Sequence, residues 1–455
     1  MKKNFHFIFV LFFSCITSVN AQYTVIHNFN FGSNPNSPFG SLIYNSAYLY
    51  GMSTYGGTGD AGTVFKLKTD GTGFVKLFDF GGTTNGKNPK GDLYFDGTYL
   101  YGMTEYGGSA DDGIIFKIKP DGTGFQKLMD FDNVIGGRPA GSLISDGTYL
   151  YGLCPNGGVY SYGVLFKIKT DGTGYSALHD FTTFESPDGS LLSDGTYFYG
   201  VVPSPGNGYI FRIKADGTGY TPIHNFSSTE GAYPTGTLIT NGSFFYGVMK
   251  FQGPSALNQG AVYKIQTDGS NYSCLHEFTG MPDGHTPGSL LGAGSWLYGM
   301  TYYGGSVDSG MVFRIKMDGT GYMNIHDCRH ADGTSSTGAL NTDGTFLYGM
   351  TSMGGMNSDG VIFKLNGLVG IDEAETDSEI RIYPNPSNGS LTIARKKSEV
   401  CNISIFNAVG ETVWQGQAKD LESTIDLDGV RDGIYLVRIM NEQSVIGTKR
   451  IVITH

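Results

Sequence analysis

The sequence predicts an all-β fold: a seven-bladed β-propeller closed by its N-terminal strand, followed by a small β-sandwich. Three observations predict it. Tyr-Gly recurs at Gly51, Gly102, Gly152, Gly200, Gly247, Gly299 and Gly349, at spacings of 51, 50, 48, 47, 52 and 50. The aromatic residue of the motif "FKIK" recurs in step at Phe65, Phe116, Phe166, Phe211, Tyr263, Phe313 and Phe363. Glycine makes up 70 of 455 residues, yet aromatics reach 13% and sit in short strand-like runs. That combination marks a turn-rich β protein rather than a disordered chain. Seven units of about 50 residues fall in the length range of propeller blades.

The elements follow in order. The first 21 residues, "MKKNFHFIFVLFFSCITSVNA", place two lysines before an apolar run and small residues at its end. This reads as a secretory signal peptide cleaved between Ala21 and Gln22, too short and wrongly flanked to span a membrane. Cys15 after "LFFS" leaves lipoprotein processing as the alternative. The propeller is expected over 22–366. Its second unit shows the four strands of a blade: Gly91–Phe95, Tyr99–Thr104, Ile114–Lys119 and Phe125–Phe131. In "IFKIK" Phe116 and Ile118 share one face while Lys117 and Lys119 share the other, as a pleated strand requires. "DGT" at Asp96–Thr98 and "DGTG" at Asp121–Gly124 supply residues that tolerate the positive φ of tight hairpins.

A strand count closes the ring. The seventh unit ends at Leu365 after three strands. The string "YTVIHNF" at Tyr23–Phe29 matches the fourth strand of the other units but stands alone at the N-terminus. It is expected to complete the seventh blade, removing an edge that would otherwise template aggregation. Residues 367–379 hold five acids and no base between Asp372 and Glu379. They read as an exposed acidic linker. Residues 380–455 alternate in short strands split by turns, as in a small sandwich.

The units from Tyr23 to Leu365 resemble the GloVer repeat family of bacterial secreted proteins, with "YGMTEYGGSADDGIIFKIKPDGTGF" (Tyr101–Phe125) carrying the likeness. They are more distantly similar to kelch repeats. This resemblance implies fold and export, not chemistry. The C-terminal part resembles the type IX secretion sorting domain of type A, through "IYPNPSNGSLTI" (Ile382–Ile393), "IDLDGVRDGIYLVRI" (Ile425–Ile439) and "KRIVI" (Lys449–Ile453). The resemblance implies a sorting motif at Tyr383, Pro384, Asn385, Pro386, Gly389, Gly433, Tyr435 and Lys449. It also implies the type IX secretion machinery as partner, and a secreted or cell-surface location reached through the periplasm. Lys449-Arg450 stands where the family usually has two lysines.

The chain carries a net charge of −11 and no basic stripe, which argues against nucleic acid as a partner. No run beyond the N-terminus approaches the length of a transmembrane segment, and a monomer is expected. His27, His179, His224, His276 and His326 share one repeat position that Phe78 and Met129 fill in other units. A position that accepts Phe and Met is a packing position, and histidines spread one per blade cannot share a metal. Asp60, Asp111 and Asp308 supply one carboxylate per loop, far fewer oxygens than calcium needs. They read as turn residues. No metal, cofactor or catalytic motif emerges, although paired acids for glycoside cleavage are set in space rather than in sequence.

The "DGT" and "DGTG" turns fall on one face of the disc. The loops after "YGG" and those between blades fall on the other, and they differ from unit to unit. Variable loops on a rigid scaffold are where binding resides. Three residues before the glycine that opens each inner strand stand Ser37, Asn88, Arg138, Ser186, Tyr233, His285 and Ser335. Asn88, Arg138, Tyr233 and His285 are the candidate ligand residues. The expected function is a binding or adhesion module for a glycan or a protein. The alternatives are a glycan-active enzyme and a structural surface component.

Overall fold

A computed structural model describes residues 23–30, 35–182, 185–255, 257–366, 380–384, 387–395, 400–406, 412–427, 429–430, 433–440 and 445–453. Two compact units divide at Leu368. The expected cleavage residues Ala21 and Gln22, the acidic linker, and Asn385 and Pro386 lie outside the described residues.

The first unit contains seven four-stranded antiparallel sheets. In six of them the strands run outward in chain order. In blade 2 they are Tyr94–Phe95, Leu100–Thr104, Ile114–Ile118 and Gln126–Asp130. Each is shorter at its ends than the sequence pattern suggests, because flanking residues enter the turns. The second and third strands carry the core. Leu100–Thr104 is buried throughout, and in Ile114–Ile118 only Lys117 is partly exposed. These are inner strands covered by blades on both faces, so they read as continuous apolar runs rather than alternating ones.

The seventh sheet is completed by Tyr23–Asn28, paired antiparallel with Val361–Asn366. The orphan strand therefore stands where the count placed it. Its pairing also reproduces the detail of the other blades. Each fourth strand carries one extra residue relative to the third, a bulge between Val25 and His27 here and at the matching point in blades 1 to 6. A bulge increases local twist and re-aims the side chains beyond it. In this ring it turns the histidine position toward the next blade. His27 stacks on Phe74 with centroids 4.0 Å apart, and Phe78 on Phe125 at 3.8 Å. His179 stacks on Tyr220 and His276 on Tyr322, both at 3.5 Å. The last stack, His326 on Tyr23 at 3.8 Å, joins blade 6 to the closing strand.

The blades meet at the axis through glycine. A Cβ on Gly91 would stand 2.0 Å from the carbonyl oxygen of Gly141, and one on Gly141 would stand 1.9 Å from that of Gly189. Gly338 meets Gly40 in the same way at 2.4 Å, and Gly40 meets Gly91 at 2.5 Å. The glycines that open the inner strands are thus required by the close approach of the neighbouring backbone. Seven apolar clusters fill the spaces between successive blades, the last packing Phe29 and Ile362 of blade 7 against Leu42, Leu49 and Phe65 of blade 1.

The second unit is a sandwich. A sheet of Ile380–Tyr383, Ser390–Arg395 and Glu422–Asp426 and a sheet of Thr412–Ala418, Cys401–Phe406, Gly433–Met440 and Val445–Ile453 enclose one core. Leu391, Ile393, Ile403, Ile405, Val437 and Ile451 form its centre.

Candidate functional site

The variable-loop face is built on a repeated latch. Six residues that precede a proline hold a left-handed backbone: Ser37, Asn88, Arg138, Ser186, Tyr233 and Thr286, with φ between 31° and 61°. Each donates its backbone N–H to a carbonyl of the preceding blade. Asn88 reaches Ala61 at 2.7 Å, Arg138 reaches Asp112 at 2.8 Å and Thr286 reaches Gln259 at 2.9 Å. The proline that follows packs over the glycine after that carbonyl, as Pro89 does on Gly62 and Pro287 on Gly260. Ser335 keeps the left-handed conformation without a proline.

In blade 6 the latch residue is Thr286, not His285, which stands three residues before the glycine. Blade 6 has one residue fewer between proline and glycine, in "HTPG". His285 lies beside Thr286, stacked on Tyr303 with centroids 4.8 Å apart and its Nε2 3.6 Å from Asp308.

Within the loop face, at the axis, is a cavity of about 370 Å³ lined by all seven blades. The residues after the opening glycines form its floor: Ser41, Asp92, Ser142, Ser190, Thr237 and Ser289. Side chain and backbone interlock from blade to blade. The Ser41 N–H donates to Asp92 Oδ1 at 2.5 Å, the Asp92 N–H to Ser142 Oγ at 2.8 Å, and the Ser142 N–H to Ser190 Oγ at 2.8 Å. The Ala339 N–H donates to Ser41 Oγ at 2.8 Å. Asp92 is the single carboxylate among the described side chains lining the cavity. Desolvation raises its pKa above the ordinary carboxylate value. The Ser41 N–H and the Ser41 and Ser142 hydroxyls oppose that rise without cancelling it.

The mouth is aromatic and asymmetric. In blades 5 and 6 the inner hairpins lengthen to Ala232–Thr240 with Phe244–Gln252, and Gly284–Ala293 with Trp296–Gly304. Their extra residues bring Lys250, Phe251, Tyr302 and Tyr303 to the cavity, opposite Phe39 and Lys90. Phe39, Phe251 and Tyr303 are each more than 40% exposed, so the rim offers flat apolar surface to solvent. Lys90 pairs with Glu105 at 2.7 Å, and Lys250 lies over the Phe251 ring at 5.4 Å.

The four candidate ligand residues all lie on this face but outside the cavity wall. Asn88 is committed locally, donating from Nδ2 to the Thr54 carbonyl at 3.0 Å. The Arg138 guanidinium covers the Tyr106 ring at 5.1 Å and stands 4.0 Å from Asp112. Tyr233 is exposed and packs edge-on against Phe251 at 5.6 Å, which links it to the mouth. Sequence reasoning missed the floor and the rim. The signal for the floor was present: six units read Gly-Ser-Leu, Gly-Thr-Leu or Gly-Ala-Leu where the second reads Gly-Asp-Leu.

The loop aspartates act within their own turns. Asp60, Asp111 and Asp308 accept the backbone N–H of Gly56, Gly107 and Gly304 at 2.7, 2.9 and 2.8 Å. Among the described residues no group of three His, Cys, Asp or Glu side chains is placed to hold a metal. In the sandwich, Tyr383 is exposed at a strand end, its hydroxyl 3.3 Å from Glu422, and Pro384 follows it. Gly389 has a φ of 104° in the turn before Ser390–Arg395. Gly433 opens its strand, Tyr435 is buried in the core, and Lys449 pairs in register with Val437.

The Gloeobacter/Verrucomicrobia repeat matches residues 12–207 and 186–369, and the secretion system C-terminal sorting domain matches residues 381–454. No curated protein matches the chain. Among solved structures, oligogalacturonate lyase from Vibrio parahaemolyticus is 11% identical with a TM-score of 0.52, over 77% of this chain and 94% of that one. A GH74 enzyme from Niastella koreensis is 14% identical with a TM-score of 0.50, over 94% and 75%. PorZ, a surface component of the type IX secretion system of Porphyromonas gingivalis, is 13% identical with a TM-score of 0.35. The match covers 90% of this chain and 64% of the PorZ chain. At these identities the first two likenesses show the fold alone. The sorting domain marks the chain for export through type IX secretion to the cell surface or the extracellular space. Among the described residues no helix is long and apolar enough to cross a membrane.

Proposed function

Because the chain belongs to the Gloeobacter/Verrucomicrobia repeat family and ends in a type IX sorting domain, we propose that its propeller is an exported binding module that takes a glycan at the channel mouth. The observation that carries this reading is the axial cavity of about 370 Å³, with a polar floor and exposed aromatic rings at its rim. Pyranose rings present apolar faces to aromatic side chains and hydroxyls to hydrogen-bonding groups. The rim supplies the first through Phe39, Phe251 and Tyr303, and the floor and Lys250 supply the second. Arg138, Tyr233 and His285 extend the same face beyond the mouth.

A binder is favoured over a glycoside-cleaving enzyme by the chemistry of the lining. Hydrolysis uses a pair of carboxyl groups flanking the bond, and the described lining offers Asp92 alone. Incubation of the mature chain with an oligosaccharide array tests both. Retention without product supports binding. Turnover without retention shows an enzyme, and loss of neither retention nor signal in a Phe251→Ala, Tyr303→Ala double variant shows that the ligand sits elsewhere. A second variant, Arg138→Ala with Tyr233→Ala and His285→Ala, reports whether contacts reach past the mouth.

A further inference from the structure

We infer that the channel selects glycans bearing a free amino group, with Asp92 receiving the ammonium at its floor. The inference rests on the channel-mouth reading and names the ligand class within it.

The repeat supplies its own control. At the floor position the other blades place Ser41, Ser142, Ser190, Thr237, Ser289 and Ala339. A hydroxyl is enough for the interblade bond, since Ser142 Oγ and Ser190 Oγ accept the same N–H that Asp92 Oδ1 accepts in its turn. Even alanine is tolerated in blade 7. Ring closure therefore does not require a carboxylate in blade 2. A carboxylate there also carries a cost that serine would not, because enclosure by seven sheets desolvates it and raises its pKa. The ionised form of a carboxyl at such a place is balanced best by a cation.

No such cation comes from the described part of the protein. Of the two bases in the described lining, Lys90 is held by Glu105 at 2.7 Å. Lys250 stays at the mouth over Phe251. The cavity gives an external ammonium room to reach Asp92, and the chain's net charge of −11 attracts cations from a distance. The aromatic rim makes the carrier a sugar: Phe39, Phe251 and Tyr303 present ring faces to the pyranose while its 2-amino group points to the floor. An ammonium also has three N–H donors, which suit the Asp92 carboxylate and the neighbouring seryl oxygens.

The test is calorimetric titration of the mature full chain at pH 6 with three probes: a tetramer of β-1,4-linked glucosamine, the same tetramer fully N-acetylated, and tetralysine. The amino tetramer is expected to bind at least about tenfold more tightly than its acetylated form. In Asp92→Ser and Asp92→Asn that preference should vanish, the two tetramers then binding with equal affinity. Asp92→Ser recreates the floor of the other blades, so it keeps the ring bond, and Asp92→Asn keeps the shape. Equal affinity of the wild type for both tetramers overturns the inference while leaving the glycan reading intact. So does a preference that survives in either variant. Tightest binding of tetralysine also overturns it and points to a protein side chain as the occupant. Failure of both tetramers to bind overturns it together with the glycan reading.

Discussion

At the residue scale, the repeat lets each substitution be judged against its equivalents. Tyr263 stands where six blades have phenylalanine, and its hydroxyl is buried without a hydrogen-bond partner among the described residues. An unpaired buried hydroxyl costs about 1–3 kcal/mol. Tyr263→Phe should therefore raise stability by about 1 kcal/mol or more, measured by denaturant unfolding. His27 makes a second case. Burial lowers its pKa from 6.5 to about 4. Below pH 6.5 the unfolded chain gains a proton that the folded chain refuses until about pH 4. Its share of stability is thus complete above pH 6.5 and falls as the pH drops through that window. His179 and His326 shift in the same direction, also chiefly by burial. His27→Phe, which installs the Phe78 of blade 1 at this position, should flatten part of the fall in melting temperature between pH 7.5 and pH 4.5. An unchanged slope would mean that His27 does not titrate as its burial requires.

At the element scale, the N-terminal strand bears the closure. Tyr23–Asn28 pairs with Val361–Asn366, Tyr23 stacks on His326 and donates its hydroxyl to the Asp332 carbonyl at 2.6 Å, and Phe29 is 1% exposed. Phe29→Ala should cost about 3–5 kcal/mol by emptying the junction between blades 7 and 1. Deletion of residues 22–30 should cost more, because it also exposes the edge of Val361–Asn366 and favours association. A deletion variant that melts within a degree or two of the intact chain, and stays monomeric in sedimentation, would show that closure does not depend on this strand. The longer inner hairpins of blades 5 and 6 belong to this scale too. Their added residues carry Phe251 and Tyr303 to the mouth.

At the scale of the whole molecule, the repeat unit and the sorting domain have separate cores. The propeller clusters and the sandwich cluster draw on separate residues, and the two compact units part at Leu368. Removal of 379–455 should leave a propeller that folds with an unchanged melting temperature but stays in the periplasm, since separate cores fold separately. Cell fractionation of the truncated chain reads this directly. Its appearance outside the cell would remove the sorting role of Tyr383, Pro384 and the strands that follow.

Much of this architecture was legible in the sequence because a repeat is written seven times. Period, strand order and the missing fourth strand all follow from aligning "FKIK", "DGTG" and "IHNF", each tied to local backbone physics. The packing role of the histidine position was legible for the same reason, since Phe78 and Met129 share it. The site was less so. Asn88, Arg138 and Tyr233 share a left-handed backbone that latches blade to blade, and in blade 6 Thr286 rather than His285 holds it. The cavity floor and its aromatic rim are made by residues about 50 positions apart in sequence. Local pattern fixes which strands form, since hydrogen bonding and side-chain alternation act between near neighbours. Only the closed ring decides that Asp92, Phe251 and Phe39 meet at one axis, because that proximity exists only after all seven blades have packed.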